Sequence, residues 1–257
     1  MIRKAWHTDK WLLTPQVEHA RLSAIIASSW QFPSGKPHEQ VFQAIMKHDS
    51  GWEEIDQKPL LKKNGDPLDF SEIAILQATP IYTSSIEHAR ASGQLYTTLL
   101  IMGHFLHLVE NADMARASTR DAIEAGRFIA RTRHEIKALQ DEIRQHNDLT
   151  KCLDSYQTDL RFLQTCDYLS LLLLSDLPAD IQLPNVPYLG KKDKIMIRRK
   201  GANLTLTLDP LPFKKNLRDH ATSWVVPYIP YDSPDELVSA LEEVKTTTNE
   251  VHLGSGN

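Results

Sequence analysis

Apolar residues recur every three or four positions through most of the first 175 residues, and this spacing predicts a series of amphipathic helices. The first helix is expected to start at Thr14-Pro15, an N-cap residue followed by a proline at the first helical position, and to end near Trp30. The same spacing returns further along the chain and predicts a helix ending near Gly51, one starting at Ser84, and two long ones over residues 115–147 and 149–175.

Apolar and polar residues alternate, as is typical of strands, near both ends of the sequence. This pattern predicts a hairpin over residues 2–13, a hairpin of residues 195–199 and 204–208 around Lys200-Gly201-Ala202-Asn203, and a further strand over 224–228. Ser233-Pro234 is expected to open a final helix. We expect residues 53–70 to form a long ordered loop and residues 254–257 a flexible tail.

Together these elements predict a mainly α fold with a small antiparallel β appendage, formed by the C-terminal strands with the N-terminal strands as a second contribution. We expect one domain over residues 1–257, with a helical core at about 14–176 and a β-containing extension at about 190–245. Hydrophobic residues make up 41% of the 257 residues, which is enough for a sizeable core.

Charge and cysteine content narrow the class of protein. The net charge of −4, from 33 acidic and 29 basic residues, gives no general attraction to a nucleic acid polymer or to a membrane surface. Two cysteines without a CxxC pair argue against a disulfide framework and suit a reducing compartment. The N-terminus lacks the apolar region of a signal peptide and the apolar run at 169–174 is too short to span a bilayer, so a cytoplasmic location is expected.

The most informative residues are histidines and aspartates at core-facing positions of separate predicted helices. An ionised or polar side chain there is costly unless a hydrogen-bonding partner or a metal compensates it. Each one alone is explained as readily by a hydrogen-bonded core residue, but the set together favours a metal site. Nitrogen and oxygen ligands without thiolate suit one or two divalent transition metal ions, Fe, Mn, Co, Ni or Zn. The residues of this set are His19, His48, Asp49, His104 and Asp167.

The order of these residues resembles the HD-domain superfamily of metal-dependent phosphohydrolases, and more narrowly an uncharacterised bacterial branch of it. The resemblance covers about residues 1–240. It is carried by Lys47-His48-Asp49-Ser50-Gly51-Trp52, Gly65-Asp66-Pro67-Leu68-Asp69-Phe70, Met102-Gly103-His104, the segment from Leu163 to Leu171 around Asp167, and Leu208-Asp209-Pro210-Leu211-Pro212-Phe213.

The resemblance implies an HD-domain-like helical bundle with four ligands to one metal, while His104 falls where binuclear members supply a histidine to a second metal. His88 and His107 are further candidates, although a surface or packing role is the simpler interpretation of both. The four implied ligands are His19, His48, Asp49 and Asp167.

The predicted function is a metal-dependent hydrolase that acts on a phosphorylated small molecule or nucleotide through a metal-activated water. His104, Glu53 or Asp56 would handle the proton, and Trp52 with residues 53–70 would shape the pocket. Lys62 and Lys63 are either phosphate-attracting or simply solvated. The chain departs from the better-known nucleotide hydrolases because Ser50-Gly51-Trp52 places no basic residue directly after the His-Asp pair.

Two other functions remain open. A di-iron oxygenase would need further histidines, which His104 with His88 or His107 would supply. A non-enzymatic metal-binding or regulatory module would keep the helical shell and use the C-terminal strands for a partner. The expected partner is a small-molecule substrate. The charged face of the long helix at 115–147 is most simply a solvated surface, and the alternative is the interface of a homodimer.

Overall fold

A mixed sheet and a layer of helices enclose a shared core in the computed structural model, which describes residues 1–33, 35–115, 117–201 and 204–256. The helices are α1 (Gln16–Ser29), α2 (Glu39–Lys47), α3 (Glu53–Gln57), α4 (Ile75–Ala91), α5 (Leu95–Glu110), α6 (Thr119–Ile143), α7 (Asn147–Leu174) and α8 (Pro234–Glu243), with short 3-10 turns at Ser50–Trp52 and Phe70–Glu72. The strands are β1 (Ile2–Trp6), β2 (Lys10–Thr14), β3 (Ile181–Leu183), β4 (Ile195–Arg199), β5 (Thr205–Asp209), β6 (Leu217–Pro227) and β7 (Thr247–Ser255).

The seven strands form one sheet in the order β1-β2-β6-β7-β5-β4-β3, which curves into a half-barrel. β5 and β7 are parallel and every other neighbouring pair is antiparallel. The N-terminal hairpin therefore joins the sheet through β6, and β7 lies between β6 and β5. Strands from the two ends of the sequence are thus neighbours in one sheet.

The inner face of the sheet packs on α1 and α7, the two helices that run through the centre of the core. Leu206 on β5 and Leu253 on β7 are fully buried in the same apolar cluster as Leu22 on α1 and Leu172 on α7. Burial of this much aliphatic surface is the main stabilising contribution to the arrangement. The sheet therefore acts as the support against which these two helices are held.

Two cations of the sheet bind the C-terminal end of α7 from opposite sides. Lys4 on β1 donates from Nζ to the Ser175 carbonyl at 2.8 Å, and Arg199 on β4 donates to the carbonyls of Leu172 at 2.6 Å and Leu177 at 3.0 Å. The last carbonyls of a helix lack partners inside the helix and carry partial negative charge, so cations stabilise them. This contact fixes where α7 ends relative to the sheet.

The predicted fold class is wrong: the protein is an α/β fold with a seven-stranded mixed sheet, not a mainly α bundle with a small antiparallel appendage. The predicted tail was the largest error, because residues 254–255 end β7 in the middle of the sheet. β7 contains Asn249, Glu250 and Gly254, which are residue types depleted in strands, and only Val251 and Leu253 are apolar, so its local sequence is a weak strand signal. Pairing with β5 and β6 supplies what the local sequence lacks.

Other boundaries follow the predictions with limited shifts. The predicted hairpin over residues 2–13 is confirmed and consists of β1 and β2. The predicted hairpin of residues 195–199 and 204–208 is also confirmed and consists of β4 and β5. Ala202 and Asn203 of its turn lie outside the described residues. α4 starts at Ile75 rather than at Ser84, since the helix continues through Pro80. The predicted loop 53–70 includes the helix α3. Within the described residues, no helix combines the length and apolarity needed to cross a membrane.

The place of β7 in the sheet predicts that Leu253→Ala destabilises the protein by about 2–5 kcal/mol, because a fully buried leucine is replaced by a cavity. Urea unfolding followed by circular dichroism measures the change. Glu250→Gln, at an exposed position of the same strand, should change the free energy of unfolding by less than about 0.5 kcal/mol. Equal stability of Leu253→Ala and the unmodified protein would mean that this segment is a tail after all.

Candidate metal centre

The five predicted residues come together inside the helical layer. His19 lies on α1, His48 is the C-cap of α2 and Asp49 follows it, while His104 lies on α5 and Asp167 on α7. All five are buried. Three helices and one helix end thus deliver their polar side chains to one point, where apolar residues would otherwise be expected.

The three imidazole rings turn their Nε2 atoms toward the two carboxylates. The potential ligand atoms form two groups, and within each group all of the atoms lie within 4.8 Å of one another. The first group is His19, His48 and Asp49, and the second is His48, His104 and Asp167. His48 belongs to both groups, so they form one continuous cluster. The distances from Nε2 are 3.0 Å (His19 to Asp49 Oδ2), 3.4 Å (His19 to Asp167 Oδ1), 3.5 Å (His48 to Asp167 Oδ1), 3.6 Å (His48 to Asp49 Oδ2) and 3.8 Å (His104 to Asp167 Oδ2).

Hydrogen bonds on the far side of two rings fix their tautomers. His48 donates from Nδ1 to the Ile45 carbonyl at 2.8 Å. His19 donates from Nδ1 to Ser170 Oγ at 2.6 Å, because the Ser170 hydroxyl itself donates to the Asp167 carbonyl at 2.8 Å. Ser23 Oγ lies 2.8 Å from Ser170 Oγ and completes the chain. With the proton on Nδ1, the neutral ring presents the Nε2 lone pair to the centre, as in metal-binding histidines.

An unpaired buried nitrogen points into the same space. Within the described residues His48 Nε2 has no hydrogen-bond partner, and neither has His104 Nδ1. A buried polar atom without a partner costs free energy, which an ion bound between the rings and the carboxylates would remove for His48 Nε2. The donor set therefore fits a divalent metal ion, and these buried His and Asp groups are able to hold one.

The electrostatics of the centre favour the binding of positive charge. Burial works to raise the pKa of Asp167, but His48, whose Nε2 lies 3.5 Å from Asp167 Oδ1, and the neighbouring His104 and His19 lower it to about 2. Burial works to lower the pKa of His48, yet Asp49 and Asp167 raise it to about 9. Burial dominates at His104 and lowers its pKa to about 4. Both carboxylates stay ionised, so the cluster requires a proton or a cation to balance them.

The His48-Asp49 pair keeps its direction because the turn that follows is packed against α4. A Cβ atom on Gly51 would lie 2.2 Å from the Ile81 carbonyl oxygen, so only glycine allows this approach. The Gly51 amide donates to Ser85 Oγ at 2.8 Å. The Ser50–Trp52 turn is thereby fixed to a neighbouring helix, and the two ligand residues before it are fixed with it.

Helix α5 is held in register with α2 and α7, which positions His104. Gln40 at the start of α2 accepts hydrogen bonds at its Oε1 from the amides of Tyr96 and Thr97. Gly103 lies against α7, where an added Cβ would come within 2.2 Å of the Tyr156 hydroxyl. The residue before His104 therefore has to be small, since α5 and α7 approach closely there.

Solvent reaches the centre from the carboxylate side. The side chains of Asp49 and Asp167 are 9% and 12% exposed, whereas those of the three histidines are 1–3% exposed. Tyr82 on α4 belongs to the same region, because burial and then the charges of Asp49 and Asp167 raise its pKa. Its ring stacks on Phe105 at 4.3 Å. Tyr82 was missed because the sequence pattern placed the start of α4 two residues after it.

The remaining predicted site residues lie outside the cluster. Glu53 is exposed at the start of α3, and Trp52 is buried beside Met1 and Phe70 around a cavity of about 10 Å³. Asp56 pairs with the Met1 amino group at 2.9 Å and Lys62 pairs with Glu72 at 2.8 Å. Lys63, His88 and His107 are exposed. His88 Nδ1 lies 3.2 Å from Ser50 Oγ, and His107 Nδ1 lies 3.1 Å from the side-chain amide nitrogen of Asn111.

Fold and site together define an α/β protein with a buried cluster of three histidines and two aspartates suited to a metal ion. The family model described as "Protein of unknown function (DUF3891)" matches residues 1–222, and the chain belongs to this family. The matched region contains all five residues of the cluster and ends inside β6. The searches of curated proteins and of solved structures gave no match.

The hydrogen bond between Ser170 and His19 predicts that Ser170→Ala weakens metal binding by about 10- to 100-fold, because the His19 ring loses the partner that orients it. Competition with a chelator of known affinity measures the dissociation constant. Ser239→Ala on the exposed face of α8 is the control and should leave the affinity unchanged. An unchanged affinity of Ser170→Ala would show that the serine does not position the ring.

The pKa of His48 predicts how the stability of the metal-free protein depends on pH. The pKa of about 9 in the folded protein exceeds the ordinary histidine pKa of 6.5, so the charged ring stabilises the fold fully below pH 6.5. This contribution, on the order of 3 kcal/mol, is lost as the pH rises through about 9. His104, whose folded pKa is lowered to about 4, acts in the opposite sense below about pH 7, because its ring then gains a proton only on unfolding.

Urea unfolding in the presence of a chelator at pH 7, 8 and 9, where unfolded His104 is mostly neutral, tests this dependence. Stability should fall across the series for the unmodified protein, and the fall should be absent in His48→Asn. A decline of the same size in both proteins would assign it to other groups. His134→Asn, at an exposed position of α6, controls for the substitution itself.

Proposed function

We propose that this protein is a metal-dependent hydrolase with one divalent transition metal ion at the His and Asp cluster. The observation that carries the proposal is the convergence of three Nε2 atoms and two ionised carboxylates from separate helices on one point, with solvent access on the carboxylate side. Nitrogen and oxygen donors without thiolate suit Fe, Mn, Co, Ni or Zn. The order His19, His48-Asp49, Asp167 adds support, because it is the HD-superfamily order.

In this proposal His19, His48, Asp49 and Asp167 hold the ion, and His104 is a fifth residue of the same cluster. A bound divalent ion supplies a water of lowered pKa and polarises a substrate oxygen. His104, with its pKa lowered to about 4, is neutral near pH 7 and so offers a lone pair rather than a positive charge. Ser170 and the Ile45 carbonyl keep the protons of His19 and His48 away from the ion.

The proposed substrate is a phosphorylated small molecule, and the proposed proton-handling group is Glu53. This carboxylate is exposed on the first residue of α3, directly after the turn that follows the His48-Asp49 pair. Exposure lets it exchange protons with solvent, which a general acid or base has to do in each cycle. Tyr82, half-buried beside the carboxylates, is the residue we expect at the entrance.

Metal content and hydrolysis, measured on the same variants, test the proposal. Protein purified without chelator should carry about one equivalent of metal by elemental analysis and should release phosphate from one or more members of a phosphomonoester panel. His48→Ala and Asp167→Ala should lose metal and activity together. Glu53→Gln should keep its metal and lose at least about tenfold in kcat. His134→Ala is the surface control.

Three results would contradict the proposal in different ways. Two irons per chain with an oxidised-iron absorption band would favour a di-iron oxygenase, with His104 in a second ligand group. Absence of metal, with no change of Tm when metal is added, would favour a non-enzymatic module. Unchanged metal content in both His48→Ala and Asp167→Ala would place the metal elsewhere.

A further inference from the structure

A large cleft lies away from the metal centre. It has a volume of about 730 Å³ and is formed where the end of α1 meets the β3–β4 connection and the segment after β5. None of the five cluster residues lines it. A volume of this size is within the range of small-molecule sites in proteins, so the cleft is large enough for a ligand of several rings or groups.

A cluster of aromatic rings lines part of the cleft. Phe32 and Tyr188 lie with their ring centroids 5.5 Å apart, and both pack edge-on against Phe162 of α7. Trp30 is buried behind them and also contacts Phe162. Phe32 and Tyr188 are only partly buried, so their ring surfaces remain available to a flat ligand. Stacking of a heterocycle on such rings is favourable and tolerant of ring identity.

Lysines also line the cleft. Lys191, Lys192 and Lys214 line the cleft, and none of them makes an ion pair or a side-chain hydrogen bond with the rest of the described chain. Asp193, the acid next to Lys192 in sequence, does not line it, and neither does Asp209. Three uncompensated positive charges at one cleft repel one another, in a protein whose net charge is −4. An anionic ligand would remove this repulsion.

Tyr188 carries a second, independent sign of a binding site. Its φ of 60° lies in the left-handed region, which is uncommon for a bulky residue and costs free energy. Contacts at both ends hold it there: its hydroxyl donates to Asp159 at 2.5 Å and its carbonyl accepts from Trp30 Nε1 at 3.4 Å. Strained residues held by their surroundings concentrate at ligand sites.

We propose that this cleft binds a nucleotide, with the base against Phe32 and Tyr188 and the phosphates between Lys191, Lys192 and Lys214. A nucleotide combines a flat ring with several negative charges, which is the combination that the aromatic rings and the lysines of the cleft complement. The site is separate from the metal centre and does not rest on the hydrolase proposal. It is a second binding site of the protein.

Calorimetric titration of the full chain with ATP tests this inference. A chelator is present throughout to keep metal from the His and Asp cluster. ATP should bind, and Lys191→Ala/Lys192→Ala should weaken binding at least about tenfold, because two charge-assisted hydrogen bonds to phosphate are lost. The matched control is Lys62→Ala/Lys63→Ala, an adjacent lysine pair away from the cleft in which Lys62 is already paired with Glu72. It should bind ATP as the unmodified protein does.

Adenosine and inorganic tripolyphosphate separate the two halves of the ligand, and each should bind at least about tenfold more weakly than ATP. Circular dichroism of each variant confirms its fold. The proposal is overturned if ATP does not bind, if tripolyphosphate binds as tightly as ATP, or if Asp167→Ala abolishes binding. It is also overturned if a single-stranded RNA binds far more tightly than ATP, since the cleft would then be part of a nucleic acid surface.

Discussion

Two ionised carboxylates inside a helical core are the constraint on which the rest of the centre depends. Asp49 and Asp167 would be strongly unfavourable there without compensating positive charge. Three histidine rings surround them, and the hydrogen bonds of Ser170 and Ile45 decide which nitrogen each of two rings presents. The geometry of the cluster is thus set by residues that do not belong to it.

The sheet contributes to the centre indirectly, through the position of α7. Lys4 and Arg199 bind the end of that helix from β1 and β4, while Leu206 and Leu253 pack beneath the core. Asp167 lies two turns before this anchored end. A change in the sheet would therefore be expected to disturb the cluster by moving one helix that carries a ligand residue, although no strand supplies a ligand itself.

The five residues of the centre could be found from sequence because each is a polar residue at a core position of a regular helix pattern. Asp167 between leucines one turn away on either side is the clearest case. Ser170 and Tyr82 could not be found in this way. A serine on a helix is ordinary, and Tyr82 lies two residues before the predicted start of α4. The sheet was underestimated because β7 takes its conformation from its neighbours. The cleft lysines come from segments far apart in sequence, and no periodicity relates them.

The position of β7 between β6 and β5 also has a consequence for the order in which the molecule can be assembled. During synthesis the helices α1 to α7 emerge well before residues 247–255, yet the two halves of the sheet are joined only by that strand. Until then β5 and β6 each present an unpaired edge, and the inner apolar face of the sheet is incomplete. Closure requires contacts between residues about 40 to 50 positions apart, such as Thr205 with His252. The sheet is therefore completed only after residues 247–255 have been made, and the edges of β5 and β6 stay exposed until then.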